Sequence, residues 1–436
     1  TATSSDPSSV YYNPAGLAAI DEPVVWFDLA SFTAFGDTKN PRTGERFDFN
    51  LDPFVMRPTP ILAGPLPWTG LSWGFGILGT AGLATRFPAD VGENRFSSFS
   101  AKSLQTVLAP AFAWQALPRL SLGVTAEISA FTKFANAARF GDGYFGDALT
   151  ARTGSEVDTR DGRDDGTFRL ETDEDFPSGL RPNHDLAVDF RSASFVAGLQ
   201  YQLHPRLRVG VVYREKSEPT MRGRARILLD ESARAATGLS DLSADSELDV
   251  LLRPRQVVSG IAVEVLRGWT VHADGQWSQW GSQRSVHTTF GGEGLLGQKD
   301  LVLPFEWHDT FAARVGIEKV FDSGKRLWLG WWLDKDPVPD RTYFAPFIPG
   351  DFHVASVGGW FPGLLGEAID AGAYVQYAID ADRRLEPGES VNAGGLKRPF
   401  ADAQGRLAFG PNDEPITAEN SGVYIIGFTL QYRFGG

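Results

Sequence analysis

The sequence predicts an all-β fold, a 14-stranded antiparallel transmembrane β-barrel. Three observations lead there: the last strand, the alternation along the chain, and the sorting of its connections. From Tyr424 to Phe434 every second residue is large and apolar: Tyr424, Ile426, Phe428, Leu430, Tyr432 and Phe434. Gly427, Thr429, Gln431 and Arg433 stand between them. Period two gives a strand with one apolar and one wet face. A strand of this length, tipped with aromatics, can cross a bilayer when tilted, whereas soluble sandwich strands are shorter.

The same alternation recurs. Leu120, Leu122, Val124, Ala126 and Ile128 alternate with Ser121, Gly123, Thr125, Glu127 and Ser129. Comparable runs start at Phe195, Trp269, Phe311 and Ile369. Strands are expected near 23–38, 52–66, 71–87, 100–117, 120–140, 190–204, 207–228, 246–266, 269–290, 305–321, 327–336, 351–362, 367–381 and 421–434. No stretch sustains a useful amphipathic helix. Connections such as Leu117-Pro118-Arg119, His204-Pro205-Arg206 and Arg267-Gly268 are short, while 141–189, 229–245 and 382–420 are long. Short turns at one end and long loops at the other are the arrangement of outer-membrane barrels. It places the protein in the outer membrane of a Gram-negative bacterium.

Composition agrees. Across 436 residues there are 48 glycines, and aromatics make up 12%. The chain has no cysteine, which removes disulfides and thiolate metal sites. Mean hydropathy is −0.18, and no apolar run approaches the ~18 residues of a membrane helix. The net charge of −13, without a basic stripe, argues against nucleic acid as a partner. No signal peptide is visible at Thr1-Ala2-Thr3-Ser4-Ser5; an exported barrel would have lost one, so this absence is neutral.

Three segments carry a resemblance: Asp6 to Ala18, with Asn13-Pro14-Ala15; Gly79-Thr80-Ala81-Gly82-Leu83-Ala84-Thr85-Arg86-Phe87; and Asp334 to Pro339. In this order and spacing the chain resembles the FadL family of outer-membrane transporters for long-chain fatty acids and other hydrophobic compounds. The resemblance implies a barrel over 23–436 and an N-terminal hatch in its lumen over 1–22. That hatch is shorter than the family's usual one, so an incomplete segment is expected. It also implies passive uptake. A hydrophobic molecule is collected between the outer loops, held in an inner pocket, and released sideways through a wall gap where the third strand kinks. Physics favours the lateral route, since a wet pore would expose apolar surface at about 0.8 kcal/mol per CH₂.

By the same resemblance, Asn13, Pro14 and Ala15 form the hatch motif beside the opening, and Gly79 and Gly82 form the kink. A turn and a plain barrel bend are the alternative readings. Arg139 and Phe140 correspond to a pocket arginine and phenylalanine near a ligand's carboxylate; a rim arginine facing water is the other reading. His308 falls at the family's second cationic position. A neutral histidine there would hold a carboxylate less firmly, which leaves room for uncharged ligands. The acidic run from Asp158 to Asp175 reads as a solvated loop, or as a calcium site without EF-hand spacing. Trp328 and Trp332 share one strand face and Trp331 takes the other. The expected partners are a fatty acid, alkane or aromatic hydrocarbon, together with membrane lipid and lipopolysaccharide, around a monomer. No cofactor, no metal and no enzymatic activity are expected. A general diffusion porin and an adhesion or lattice-forming barrel are the alternatives.

Overall fold

The computed structural model describes residues 1–434 except 40–43, 45, 49–53, 56–58, 68–69, 87–93, 99, 161, 175–192, 250–252, 296, 345–349, 400–405 and 407. Fourteen strands close into an antiparallel barrel. They are β1 (Val24–Lys39), β2 (Thr59–Leu66), β3 (Leu71–Arg86), β4 (Ser100–Leu117), β5 (Leu120–Phe140), β6 (Ser194–His204), β7 (Leu207–Arg214), β8 (Gln256–Leu266), β9 (Trp269–Ser278), β10 (Thr310–Val320), β11 (Arg326–Asp334), β12 (Phe352–Phe361), β13 (Ile369–Asp380) and β14 (Ile416–Arg433). Each pairs with the next, and β14 returns to β1 from Val24↔Arg433 to Phe35↔Gly422. Every strand therefore has a neighbour on both sides, which a bilayer demands of backbone polar groups. The expected starts at 52 and 190, and loop residues 175–189, lie outside the described residues.

Alternation sets the two faces. Phe27, Leu29, Phe112, Trp114, Phe311, Leu329, Phe428 and Leu430 are exposed on the outside, where lipid covers them. At the short-turn end Trp114, Trp269, Tyr432 and Phe434 supply aromatics for the interface. Trp331 is also outward and exposed, whereas Trp328 faces the lumen.

Above the bilayer the wall continues. The upper part of β5 leaves β6 and pairs with a strand at Gly166–Glu174, which pairs with Thr220–Leu229 and through it with Leu242–Asp249. Two further strands, Ser285–Phe290 and Asp300–Pro304, complete this collar. Two helices, Tyr144–Thr153 and Glu231–Thr237, sit in the long loops; the alternation pattern alone did not reveal them. The collar encloses a packed apolar core that includes Phe140, Phe145, Phe168, Met221, Phe290, Phe305, Trp307 and Phe409.

Candidate functional site

The N-terminal segment packs against the barrel wall from within. It forms one helical turn at Ser9–Tyr12, then a 3-10 turn at Pro14–Ala19 that Asn13 caps by accepting from the Ala15 N–H at 3.2 Å. The Asn13 amide also donates to the carbonyls of Thr1 (2.9 Å) and Leu199 (3.2 Å). Asn13, Val10 and Leu17 are wholly buried. Their seat is made of glycine. Gly123 of β5 and Gly198 of β6 are register partners. A Cβ on Gly123 would lie 2.3 Å from the Pro14 carbonyl carbon, and one on Gly198 would lie 2.1 Å from Asn13 Oδ1. Only glycine admits so close an approach.

A buried polar cluster stands beside this seat. Glu127 of β5 is 1% exposed and accepts from Arg214 Nη1 at 2.9 Å, from both terminal nitrogens of Arg253, and from Ser194 Oγ at 2.8 Å. Two arginines face one carboxylate, so a positive charge is left over. Tyr11 offsets it: its carbonyl accepts from Arg214, and its ring lies 4.1 Å under the guanidinium. The chain of contacts runs on. Ser217 donates its N–H to the Arg253 carbonyl at 2.9 Å. Gln105 donates to Ser217 and Ser129, both at 2.9 Å, and accepts from Thr80 Oγ1 at 2.9 Å. The N-terminal segment is thus connected to the third strand by side chains and one main-chain bond, Ser217 N–H to the Arg253 carbonyl.

Thr80 is the extra residue of a bulge. Gly79 pairs with Thr106 and Ala81 with Gln105, so Thr80 has no register partner on β4. On its other edge β3 pairs with β2 only from Leu71↔Leu66 to Gly76↔Ile61. Pro60, which has no N–H, comes next on β2. Among the described residues, β3 beyond Gly76 pairs with β4 alone.

A cavity of about 470 Å³ reaches this point, within the usual range for small-molecule sites. Leu78 and Gly79 line one side of it, and Trp26, Trp328, Trp360, Tyr12 and Tyr374 give it aromatic walls. Trp26 stacks on Trp360 with centroids 5.2 Å apart. Asp28 supplies a carboxylate that accepts from Thr429 at 2.8 Å and from Tyr374 at 3.1 Å. Tyr12 presents its side chain to the lumen. A second cavity of about 760 Å³ adjoins the first toward the short-turn end, and Arg314, Arg326, Arg433, Glu318 and His272 line it.

A family model described as "Outer membrane protein transport protein (OMPP1/FadL/TodX)" matches residues 1–382. The chain belongs to this family. Solved structures agree on the fold. A Pseudomonas aeruginosa FadL homologue superposes with a TM-score of 0.76 at 16% identity, covering 99% of this chain and 94% of that one. The Pseudomonas putida toluene transporter TodX gives 0.68 at 16%, covering 99% and 96%. The Ralstonia pickettii toluene transporter TbuX gives 0.65 at 15%, covering 98% and 94%. A comparison with curated proteins by sequence found no match.

In this FadL-family chain the residues singled out from sequence occupy separate places. Arg139 stands at the top of β5, where Nε meets Asp164 at 3.4 Å, Nη1 donates to Thr167 at 2.8 Å and Asp230 lies 3.8 Å away. Phe140 is 1% exposed in the collar core against Tyr144 and Phe145. His308 is exposed, with its N–H on the Pro337 carbonyl. Neither Arg139 nor His308 lines the aromatic cavity. Gly79 lies at the bulge, while Gly82 is past it, paired in register with Leu104. Two acids of the outer loop are engaged internally: Asp164 with Arg95 and Arg139, Asp165 with the N–H groups of Gly143 and Phe145. Asp161 lies outside the described residues. Among the described residues no three metal-ligating side chains converge.

Sequence reading missed Trp26, Trp360, Tyr374 and Asp28, and the cluster of Glu127, Arg214 and Arg253. A signal existed for the first group. Trp26 and Asp28 fall on the opposite phase of β1 from the lipid-facing Phe27 and Leu29, so a tryptophan there had to point inward.

Proposed function

We propose that this protein takes up small hydrophobic molecules passively across the outer membrane of a Gram-negative bacterium. The N-terminal segment acts as a hatch, the aromatic cavity holds the molecule, and the wall between β2 and β3 releases it sideways into the bilayer. One observation carries this reading: the aromatic cavity is lined by Leu78 and Gly79, beyond the last β2–β3 pair among the described residues. A molecule leaving there keeps its apolar surface out of water, at about 25 cal/mol per Å² spared. Aromatic walls suit monoaromatic hydrocarbons, the class named for the toluene transporters of this fold, better than a long flexible chain.

Ala30 tests the reading. It lines the cavity and is 5% exposed. Ala30→Phe should fill the space and bring toluene uptake by whole cells down to that of cells without the protein. The barrel should still show its folded mobility on unheated gels. Undiminished uptake by the folded variant would sink the proposal.

A further inference from the structure

We propose that the aromatic cavity selects aromatic molecules bearing a neutral or cationic hydrogen-bond donor, a phenol or an aromatic amine, and discriminates against carboxylates. This rests on the cavity being the transport site.

The charge inventory is one-sided. Among the described residues lining the cavity, the charged ones are Asp6 and Asp28, and both are acids. The cations Arg314, Arg326 and Arg433 line the neighbouring cavity instead. Asp6 turns back on its own segment, accepting from the Ser8 N–H at 2.9 Å and from the Ser8 hydroxyl. Asp28 is different. Thr429 occupies one acceptor position on Oδ1 and Tyr374 one on Oδ2. A carboxylate has about four such positions. Asp28 therefore keeps acceptor capacity while lining the space a ligand would fill.

The walls act in the same direction. Trp26, Trp328, Trp360, Tyr12 and Tyr374 present rings to the cavity. The negative face of a ring attracts a cation and repels an anion. A carboxylate ligand would meet these faces and Asp28 together, and a like charge at close range disfavours ionised partners. A phenol or amine would donate to Asp28 and stack its ring on the indoles. The hydrogen bond to a charged acceptor is the stronger kind.

Four probes with one body test this: toluene, p-cresol, p-toluidine and 4-methylbenzoate, titrated calorimetrically into the purified, folded protein. The expected order places p-cresol and p-toluidine about tenfold tighter than toluene, the low end for one hydrogen bond to a charged group. 4-Methylbenzoate should be the weakest. Asp28→Asn, which keeps an acceptor but removes the charge, should strengthen 4-methylbenzoate and narrow the spread. The wild-type order needs no variant, so a misfolded Asp28→Asn does not rescue the idea. Wild-type protein that binds 4-methylbenzoate as tightly as p-cresol overturns it. So does a folded Asp28→Asn that leaves all four affinities unchanged. If toluene binds and the head group makes no difference, this inference falls alone. If none of the four binds, the transport reading falls with it.

Discussion

Two neighbouring stretches of wall are held in different ways. The seam between β1 and β14 is stitched by backbone over twelve successive pairs, from Val24↔Arg433 to Phe35↔Gly422. Aromatic contacts among Phe35, Tyr377 and Tyr424 thicken its upper end. Two strands away, β2 and β3 share, among the described residues, the six pairs from Ile61↔Gly76 to Leu66↔Leu71. There the support comes from inside, through Thr80, Gln105, Ser217, Arg253, Glu127 and Arg214 to Tyr11 of the N-terminal segment. Backbone ladders make a wall that stays shut. A wall braced mostly by side chains can be altered one residue at a time, and that is where a gate would be built.

The largest effect should come from the brace. Glu127→Gln leaves Arg214 and Arg253 buried without their carboxylate. Removing one partner of a buried ion pair costs about 3–5 kcal/mol. Urea unfolding of the refolded barrel should register that loss. Thr429→Val, near the seam, removes one bond to Asp28 and should cost only about 1 kcal/mol. Equal losses in the two variants would erase the contrast between the walls.

Next in size is the glycine seat. Gly198→Val puts atoms where Asn13 Oδ1 stands, so the N-terminal segment must shift. Gly275→Val on β9 is the control, because a Cβ there meets nothing within 4 Å. Small sugars should pass the first variant in liposome swelling and not the second. Sugar exclusion by both would mean that the N-terminal segment does not set the permeability of the lumen.

These two sites also mark how far the sequence could be read. Alternation over Leu120–Ser129 marked β5, because a lipid face and a lumen face differ in hydrophobicity at each step there. The same alternation marked Glu127 only as inward and polar. It does not distinguish lumen water from a lumen side chain, and the partners Arg214 and Arg253 lie 87 and 126 residues away. Gly123 and Gly198 likewise read as small inward residues. Their meaning depends on Asn13 and Pro14, which reach them only once the barrel has closed. The bulge on β3 was legible as glycine interrupting a strand, but the pairing locates it at Thr80 rather than at Gly82.

Deleting Thr80 tests the proposed gate more gently. Without its extra residue β3 can run against β4 in unbroken register, and the strand straightens. Hydrocarbon uptake should fall roughly tenfold, the consequence of about 1.4 kcal/mol added to the limiting step. A one-residue deletion at the seam would instead flip every later side chain to the wrong face and prevent folding. A folded Thr80 deletion with undiminished uptake would detach the bulge from transport.

The smallest effect is expected at Arg139. In the family pattern this arginine would anchor a carboxylate, and its loss would then weaken an acid by about 1.5–3 kcal/mol while sparing a hydrocarbon of equal length. Its guanidinium is already engaged with Asp164 and Thr167, at the outer end of β5 and away from the aromatic cavity. Asp164 would keep a partner without it, since Arg95 Nε sits 3.0 Å from the same carboxylate. Arg139→Ala should therefore change both ligand classes alike, within about 0.5 kcal/mol, as substitutions away from a site do. A loss confined to the acid would show that Asp164 yields its arginine to incoming carboxylates. The outer mouth would then collect acids that the cavity below disfavours, and selection would be divided between the two ends of the barrel.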